Sequence, residues 1–539
     1  MSLNLRRAAG GAVLALVLGA LAPAAPGAAG TAPGSHGDRH RAPVAATQTG
    51  LVRGAAERGV DSFLGIPFAA PPVGDLRWAA PRPPARWRGV RDATEFGNRC
   101  PATESTNGPR SETEDCLFVN VQRPSDLRRG ERRPVFVFIH GGGLNNGSSN
   151  QMDMSKVVRE TGVVGVTMNY RLGVFGFLGL PALTAEAGES GNYGFADQQA
   201  ALRWVRRNVA AFGGDPSRVT VGGESAGGFS VCGHLTAPGS RGLLARAMIQ
   251  SGSCLSRPLP DTEAGGTAYA TAAGCTDAAT VVACLRAKPA GTLLDAAPFE
   301  PSLTSGTPTL PLPPADAVES GRFARVPVVN GANRDEGRTF LAGMIGAGQA
   351  EYEGLVRGLF GANADAVLAE YPWPASGADR FTAAYLGSAV FTDSGYLGGI
   401  GGCGTRDLTR ALARWTRTYQ YEFAHRTGPG LTPIEDYVWG AGHAAELAYL
   451  WPSFDNGTPI APTFDAAERR LAREMVQWWG AFTRRGTPWV AGQTPWPPYN
   501  RTDLTLSLRA GGRSTLLTDA QYRAEHHCDF WAQLRPPAV

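Results

Sequence analysis

Short apolar runs recur along the chain and alternate with stretches of helical periodicity. Four of the runs predict buried strands: Val135–Ile139, Val163–Met168, Val219–Val221 and Val326–Val329. Between the second and third of them, the segment Ala196–Val209 repeats Leu202, Val205 and Val209 at helical spacing. Strands that alternate with helices predict an α/β fold with a mostly parallel central sheet and helices on both faces. Ligands bind beyond the carboxyl ends of such strands, so the chemistry is expected there.

The strand Val219–Val221 runs into residues 222–228, GGESAGG, where Ser225 stands in the pattern Gly-x-Ser-x-Gly. This pattern is typical of a nucleophile elbow, a tight turn from strand to helix that lifts a serine hydroxyl clear of the sheet. The flanking positions must be small, because strand and helix would otherwise collide, and Gly223 and Gly227 meet that need. Without the preceding strand the motif would indicate only a glycine-rich turn. With it, the sequence predicts Ser225 as a nucleophile.

A serine hydroxyl needs a base to take its proton, and in this arrangement the acid and then the histidine follow the serine along the chain. Four of the eight histidines satisfy that order: His425, His443, His526 and His527. His443 is favoured, because it lies in a loop with neighbouring glycines that can bring its ring into a cleft. His425, which closes the strand-like run Tyr419–Phe423, is the second candidate.

The acid is expected at the carboxyl end of a strand, and the strand Val326–Val329 leads to Asp335 and Glu336. Either carboxylate is also suited to a helix N-terminus, where the helix dipole stabilises negative charge. The residues themselves do not distinguish between the two candidates.

The strand Val135–Ile139 ends in His140 and the glycines 141–143. Glycine N–H groups reach a developing oxyanion without obstruction, and such a loop acts together with the N–H of the residue after the nucleophile, here Ala226. One such donor contributes on the order of 10²–10³ in rate. The two motifs supply complementary halves of one site, so together they are far more specific than either alone.

Composition narrows the class of protein. The 539 residues carry a formal net charge of +4, with 18% charged and 43% hydrophobic residues. This charge balance provides no basic stripe of the kind that binds nucleic acid, so the sequence does not indicate nucleic-acid binding. No segment beyond the N-terminal run has the length or apolarity of a membrane span. The sequence gives no indication of oligomeric state.

The N-terminal segment predicts export. Arg6 and Arg7 precede a short apolar run and small residues, so residues 1–24 are expected to be a signal peptide. Residues 25–43 predict a flexible lead-in rich in Ala, Pro and Gly, and residues 44–539 a single domain. The protein is therefore expected to be secreted and extracellular.

Eight cysteines, an even number in a chain expected to be exported, favour disulfides over a metal site, and no CxxC pair is present. Their spacing suggests the short loops Cys100–Cys116 and Cys275–Cys284, although spacing alone does not fix the connectivity.

Further segments accompany these motifs: Phe63–Ala69, Pro71–Gly74, Glu114–Val121, Gly191–Gly194, Asp197–Gln198, Phe212–Pro216 and Gln250–Gly252. With them the chain resembles the type-B carboxylesterase/cholinesterase family of α/β-hydrolases, and in particular bacterial secreted carboxylesterases, along nearly its whole mature length. The resemblance implies an α/β-hydrolase fold for residues 44–539. It also implies a serine carboxylesterase that needs no metal or organic cofactor.

Carried over residue by residue, the resemblance assigns a role to eight positions. The implied nucleophile, acid and base are Ser225, Glu336 and His443, the oxyanion hole is Gly142, Gly143 and Ala226, and Glu224 and Ser251 lie beside the triad. The resemblance thus selects Glu336 over Asp335.

The resemblance also implies the disulfides Cys100–Cys116, Cys275–Cys284 and Cys403–Cys528. Cys232 and Cys254 are left over, either as a pair or as two buried thiols. One departure concerns the substrate: the segment Pro101–Asp115 contains no aromatic residue, whereas cholinesterases bind the quaternary ammonium group there by cation–π attraction. This difference counts against a choline ester.

The implied reaction is hydrolysis of a small-molecule or lipid-like carboxylic ester through an acyl-enzyme intermediate. Two alternatives stay open. A related acyl bond, in an amide, carbamate or thioester, suits the same triad. A catalytically silent adhesion or binding module is the other, and the retention of Ser225 argues against it.

Overall fold

The computed structural model describes residues 42–396 and 398–534. The predicted signal peptide, and all but the last two residues of the predicted lead-in, lie outside this part of the chain. Within it, sixteen strands form three sheets: β1 Val44–Ala46, β2 Leu51–Arg53, β3 Ala55–Glu57, β4 Val60–Pro67, β5 Val90–Asp92, β6 Phe118–Pro124, β7 Arg133–Ile139, β8 Val164–Met168, β9 Gly214–Glu224, β10 Arg246–Gln250, β11 Arg257–Pro258, β12 Thr304–Ser305, β13 Val328–Asn333, β14 Thr418–Phe423, β15 Leu504–Leu508 and β16 Thr515–Thr518.

The same residues form nineteen α-helices of very different length: α1 Ser155–Thr161, α2 Gly173–Phe177, α3 Pro181–Ala187, α4 Tyr193–Asn208, α5 Ala226–Thr236, α6 Leu259–Ala272, α7 Val281–Arg286, α8 Ala290–Ala296, α9 Pro314–Glu319, α10 Gly337–Phe340, α11 Gln349–Phe360, α12 Ala364–Glu370, α13 Thr382–Ser394, α14 Gly402–Ala413, α15 Leu447–Leu450, α16 Ala466–Arg485, α17 Tyr499–Thr502, α18 Asp519–Glu525 and α19 Cys528–Leu534. None of the helices in the described residues combines the length and apolarity needed to cross a bilayer.

The large sheet has eleven strands in the order β16-β15-β14-β13-β10-β9-β7-β8-β6-β4-β3. Every pair between β15 and β8 in this order is parallel. The strands added at the two edges run antiparallel to their neighbours. The prediction of a mostly parallel sheet is therefore confirmed, and the antiparallel edges are what the sequence pattern did not predict.

Strand β7 shows why the sheet is buried on both faces. Successive side chains of a strand point to opposite sides. Val135, Val137 and Ile139 join one core cluster with residues of α4 and α5. Phe136 and Phe138 join another with residues of α1 and α16. A strand buried on both faces requires an uninterrupted apolar run. The two clusters confirm the predicted helices on both faces of the sheet.

The four predicted strands correspond to β7, β8, β9 and β13, and the predicted helix to α4. Strand β7 begins two residues before the predicted Val135, at Arg133, whereas β13 begins two residues late, at Val328 and not at Val326. The intervening Pro327 has no N–H to donate, although its carbonyl still accepts the N–H of Ala247 at 3.0 Å. Strand β9 is much longer than the predicted Val219–Val221 and reaches Glu224, directly before Ser225.

Four disulfides cross-link the described residues: Cys100–Cys116, Cys232–Cys254, Cys275–Cys284 and Cys403–Cys528. Three are the pairs that the family resemblance implies. The fourth joins the two cysteines that the sequence left without an assigned partner.

Candidate active site

Ser225 occupies the turn between β9 and α5 with φ 56° and ψ −123°, a backbone conformation that side-chain-bearing residues rarely adopt. A Cβ atom on Gly223 would lie 2.4 Å from the carbonyl oxygen of Gly227, and one on Gly227 would lie 2.1 Å from that of Ile139. Both positions therefore require glycine. The turn is held by main-chain bonds: the N–H of Ser225 donates to Gln250 O at 2.9 Å, and its carbonyl accepts from Phe229 at 3.0 Å.

His443 and Glu336 form a buried pair. The Nδ1 atom of His443 lies 2.6 Å from Oε2 of Glu336, a residue with no exposed surface. The other carboxylate oxygen of Glu336 accepts the N–H of Asn333 at 2.7 Å, and Thr339 Oγ1 donates to the carbonyl of His443 at 3.0 Å. These bonds fix the ring and place its proton on Nδ1, so that Nε2 can accept another.

Two more buried glutamates surround this pair. Glu224 Oε1 lies 3.2 Å from Nε2 of His443. Glu446, fully buried, accepts from Asn333 at 2.8 Å and from Gln250 at 3.2 Å. Burial raises the pKa of Glu224 to about 8, and it also raises the pKa of Glu446. For His443 burial opposes the charged form, but the negative charges of Glu224 and Glu336 outweigh it and raise the pKa to about 9.

The other carboxylate candidate, Asp335, has a different partner set. It forms an ion pair with Arg426 at 2.8 Å and accepts the N–H of Ala441 at 3.0 Å. Asp335 and Glu336 are neighbours in the chain, and only Glu336 contacts the His443 ring.

The remaining candidate histidines are also engaged elsewhere. His425, the second candidate for the base, lies 3.1 Å from Glu468 in the first turn of α16. His526 lies between Asp393 and Glu422, and His527 contacts Glu370. None of these three histidines lines the cavity that contains Ser225.

The glycines after β7 lie against the serine turn. A Cβ atom on Gly141 would be 3.0 Å from Cβ of Ser225. Gly142 and Gly143 have φ of 101° and 62°, and within the described residues neither N–H group has a hydrogen-bond acceptor. Ala226 is the first residue of α5, where N–H groups have no acceptor within the helix. All three N–H groups are thus free for a ligand.

Ser225, His443, Glu224 and the glycines 141–143 line one cavity of about 340 Å³. Its polar lining comprises the glycine loop, the serine turn and other polar side chains: Thr106, Asn107, His140, Gly141, Gly142, Gly143, Asn145, Asn146, Gln151, Glu224, Ser225, Thr339, His443 and Asn456. Its apolar lining is Met152, Phe340, Leu431, Ala444, Leu447 and Phe454. A larger groove of about 890 Å³ along α14 has no serine or histidine among its lining residues, so it offers no such chemistry.

Ser251 follows β10 directly and is fully buried. Its N–H donates to Gly331 at 2.8 Å, whereas its hydroxyl has no hydrogen-bond partner within the described part of the chain. Among those residues, no group of three or more His, Cys, Asp or Glu side chains is arranged to hold a metal ion.

Sequence reasoning missed three features of the site. Glu446 follows His443 by three residues, a spacing that could have indicated a second carboxylate near the ring. Thr106 and Asn107 come from the loop closed by Cys100–Cys116, and no local pattern marks them as cavity residues. His140 stands at the start of the glycine loop, before the serine in the chain, and its sequence position predicts no role for its ring.

Comparison with known proteins gives a consistent result. The model of the carboxylesterase family matches residues 41–531. The fumonisin B1 esterase of Sphingopyxis macrogoltabida is 36% identical over 483 residues, which is 84% of each chain. The cocaine esterase of Homo sapiens is 33% identical over 542 residues, 93% of each chain.

Solved structures agree. A PNB esterase aligns with a TM-score of 0.74 and 30% identity over 90% of this chain and 99% of that one. A thermophilic PNB esterase gives a TM-score of 0.76 and 29% identity over the same shares. The chain therefore belongs to the carboxylesterase family, and it is a carboxylic ester hydrolase with the α/β-hydrolase fold.

Proposed function

We propose that the chain hydrolyses carboxylic esters through an acyl-enzyme formed on Ser225, with His443 as base and Glu336 as the acid that orients it. The observation that supports this most is the shared cavity: a serine on a strained turn, a histidine fixed through Nδ1 by a buried carboxylate, and unpaired backbone N–H groups all face it. Serine, acid and histidine also follow one another in the order of this fold.

In the first half-reaction, Ser225 Oγ attacks the ester carbonyl while Nε2 of His443 takes its proton. The carbonyl oxygen becomes an oxyanion, which accepts hydrogen bonds from the N–H groups of Gly142, Gly143 and Ala226. Collapse of the tetrahedral intermediate breaks the bond to the alcohol oxygen, and His443 returns its proton to that oxygen.

In the second half-reaction a water molecule attacks the acyl-enzyme, and His443 takes one proton from it. The second tetrahedral intermediate uses the same three N–H groups. Its collapse returns the proton to Ser225 Oγ and releases the carboxylic acid. Throughout, Glu336 keeps the proton of the ring on Nδ1 and stabilises the imidazolium. Ser251, buried directly after β10, is proposed to support the triad region by packing rather than by a hydrogen bond.

The alcohol group is expected not to be a quaternary ammonium, and the ester is expected to be of modest size. The wall that the Cys100–Cys116 loop contributes consists of Thr106 and Asn107, with no aromatic face for a quaternary ammonium group. The relatives carry names for unlike substrates, among them fumonisin B1, cocaine and acylcarnitine. Family membership therefore leaves the natural ester open, and the cavity of about 340 Å³ favours compact ones.

The test is hydrolysis of p-nitrophenyl esters from acetate to long acyl chains by the wild type and by Ser225→Ala. Turnover by the wild type with a loss of at least about 10⁴-fold in the variant is expected. Labelling of Ser225 by a fluorophosphonate, located by peptide mass spectrometry, gives a second readout. Equal rates for the two proteins, or a label on another residue, would contradict the proposal.

A thioester is the second candidate substrate, because one relative, from Anas platyrhynchos, is named a fatty acyl-CoA hydrolase precursor. A matched pair of an oxygen ester and a thioester with the same acyl group separates the two. Higher kcat/KM on the oxygen ester is expected, and the opposite order would transfer the proposal to the thioester.

We also propose that the chain is exported, with cleavage near residue 24, and that residues 44–539 fold as one unit. The four disulfides are compatible with a secreted or lumenal protein. N-terminal sequencing of protein from the culture medium tests the cleavage. Retention of an uncleaved N-terminus in the cell would contradict it.

A further inference from the structure

We infer that His140 is a positioning residue for the oxyanion hole: its ring N–H holds the peptide that carries the N–H of Gly142. The inference rests on the proposed function, because it assigns a role within the same site. His140 lines the cavity with Ser225 but has no place in the proton transfers described above.

The ring makes one hydrogen bond, and its direction is fixed by chemistry. Nδ1 of His140 lies 2.9 Å from the carbonyl oxygen of Gly141. A carbonyl oxygen can only accept, so Nδ1 must carry the proton. Burial, together with the positive charge of Arg99, lowers the pKa of His140 to about 4 despite this bond. The ring is therefore neutral at working pH, with its single proton on the nitrogen that faces Gly141.

The carbonyl of Gly141 and the N–H of Gly142 belong to the same peptide unit. No cis peptide bond occurs in the described residues, and in a planar trans unit the C=O and N–H point in opposite directions. Holding the oxygen on the His140 side therefore aims the N–H to the other side. This is the N–H that has no acceptor and is assigned to the oxyanion.

The next peptide unit is held without a side chain. The carbonyl of Gly142 accepts the N–H groups of Asn145 and Asn146, each at 3.0 Å, which fixes the N–H of Gly143. Of the two glycine donors, one is thus set by the backbone and the other by His140 alone. A unit flanked by glycines rotates easily, so loss of the His140 bond would free the Gly142 donor and leave the Gly143 donor in place.

The ring itself is held firmly. It stacks on Tyr170 with centroids 4.4 Å apart and planes 20° from parallel, and the Tyr170 hydroxyl donates to the carbonyl of His140 at 2.9 Å. On the other side, a Cβ atom on Gly147 would be 2.8 Å from Nδ1, so the main chain closes over the nitrogen. A ring so restrained has one orientation from which to donate.

Two variants separate the hydrogen bond from the packing. His140→Phe keeps a ring on Tyr170 and removes the donor, whereas His140→Asn places an amide N–H near the position of Nδ1 without the ring. His234→Phe is the matched control: His234 is another buried histidine stacked on an aromatic ring, Phe195, at 4.4 Å and 22°, and it lies outside the cavity.

Each protein is assayed with p-nitrophenyl acetate and with a trifluoromethyl ketone, which forms a tetrahedral adduct. We expect His140→Phe to lose about 10–10² in kcat with KM changed less than about threefold, because an oxyanion donor acts mainly in the transition state. Its inhibition constant for the ketone should rise in proportion to the loss in kcat/KM. His140→Asn should recover most of the loss, and His234→Phe should keep the wild-type kcat.

Wild-type kcat in His140→Phe, or an equal loss in His140→Asn and His140→Phe, would overturn the inference, since packing would then account for the effect. A ketone affinity that does not follow kcat/KM would overturn it as well. If the wild type does not turn over the ester, or if Ser225→Ala keeps the wild-type rate, the proposed function itself fails. This inference then fails with it.

Discussion

Within the described residues, two histidines lie between buried carboxylates, and of this pair only His443 lines a cavity. Nδ1 and Nε2 of His526 lie 2.6 Å from Asp393 and Glu422, respectively, and the ring has no exposed surface. His443 has one such bond, to Glu336. Its Nε2 lies 3.2 Å from Glu224 Oε1 without a hydrogen bond to it, and faces the cavity that contains Ser225. Burial opposes the charged form in both, yet the neighbouring carboxylates raise both pKa values to about 9.

The difference lies in what remains free. Both ring nitrogens of His526 are bonded to carboxylates, and these contacts join the segment before α19 to α13 and β14. His526 can therefore neither take nor give a proton without breaking a structural contact. His443 uses only Nδ1 in a hydrogen bond, because Glu224 Oε1 approaches Nε2 without bonding to it. A carboxylate–imidazole pair is therefore a stabilising device by default, and it becomes suited to catalysis when the second nitrogen is left to a substrate.

Removing each imidazole in turn tests this difference most directly. His443→Gln is expected to lower kcat for p-nitrophenyl acetate by about 10⁴-fold or more, because no base is left for Ser225. His526→Gln should retain kcat within a few-fold. Stopped assays at matched concentrations of folded protein measure both values. A large loss of kcat in folded His526→Gln would contradict the division of roles.

In the free energy of unfolding, the larger loss is expected for His526→Gln and not for His443→Gln. His526→Gln removes the positive charge that lies directly between Asp393 and Glu422 and leaves only that of Arg334 beside them, so we expect it to lose about 3–5 kcal/mol in the free energy of unfolding. Urea denaturation followed by far-UV circular dichroism measures this value. A loss below about 1 kcal/mol would show that the buried cluster contributes little to the fold.

The stabilising contribution of His526 is expected to depend on pH. The pKa of His526 is about 9 in the folded chain, raised by Asp393 and Glu422 against burial and the charge of Arg334, and about 6.5 when unfolded. Its contribution is complete below pH 6.5, where both states hold the proton. It is lost as the pH rises through 9, because only the folded state holds the proton in between.

We therefore expect the difference in unfolding free energy between wild type and His526→Gln to shrink by on the order of 3 kcal/mol from pH 6 to pH 10. The corresponding contribution of His443 is present in both proteins and cancels in the difference. Urea titrations at four pH values test this. A constant difference across the range would mean that His526 does not titrate with the fold.

The smallest expected effect concerns Glu224. Its negative charge raises the pKa of His443, so Glu224→Gln should lower that pKa and move the acid limb of the kcat/KM profile to lower pH, by up to about one unit. Glu468→Gln, which changes a carboxylate beside His425 instead, is the matched control and should not move the limb. An upward shift in Glu224→Gln would contradict the assignment.

The sequence predicted the parts of the fold and site that depend on local pattern. The strand before Ser225 and the glycines around it follow from steric need, and they form the expected turn. The choice between Asp335 and Glu336 did not follow, because both stand at the same strand end. Partners remote in sequence, Arg426 and His443, separate the two.

Other features depended on distant contacts in the same way. Cys232 and Cys254 form a disulfide that no local signal indicated. The cavity residue Asn107 donates to Asn146 at 2.8 Å, a contact that exists only because the disulfide loop folds over the glycine loop. Periodicity and motif thus predict which strand ends carry chemistry, and they do not predict which loops close over it.

The conformation at Ser225 is imposed by Gly223, Gly227 and two main-chain hydrogen bonds, and the serine hydroxyl takes no part in it. The turn therefore does not depend on the serine hydroxyl, although its strained backbone and close packing favour a small side chain at this point. In evolutionary terms, the position can exchange its hydroxyl for another small group, or lose it, without removing any hydrogen bond that holds the turn. A descendant could become a silent receptor by a single codon change, and this separability makes the elbow a convenient position for installing new nucleophiles by design.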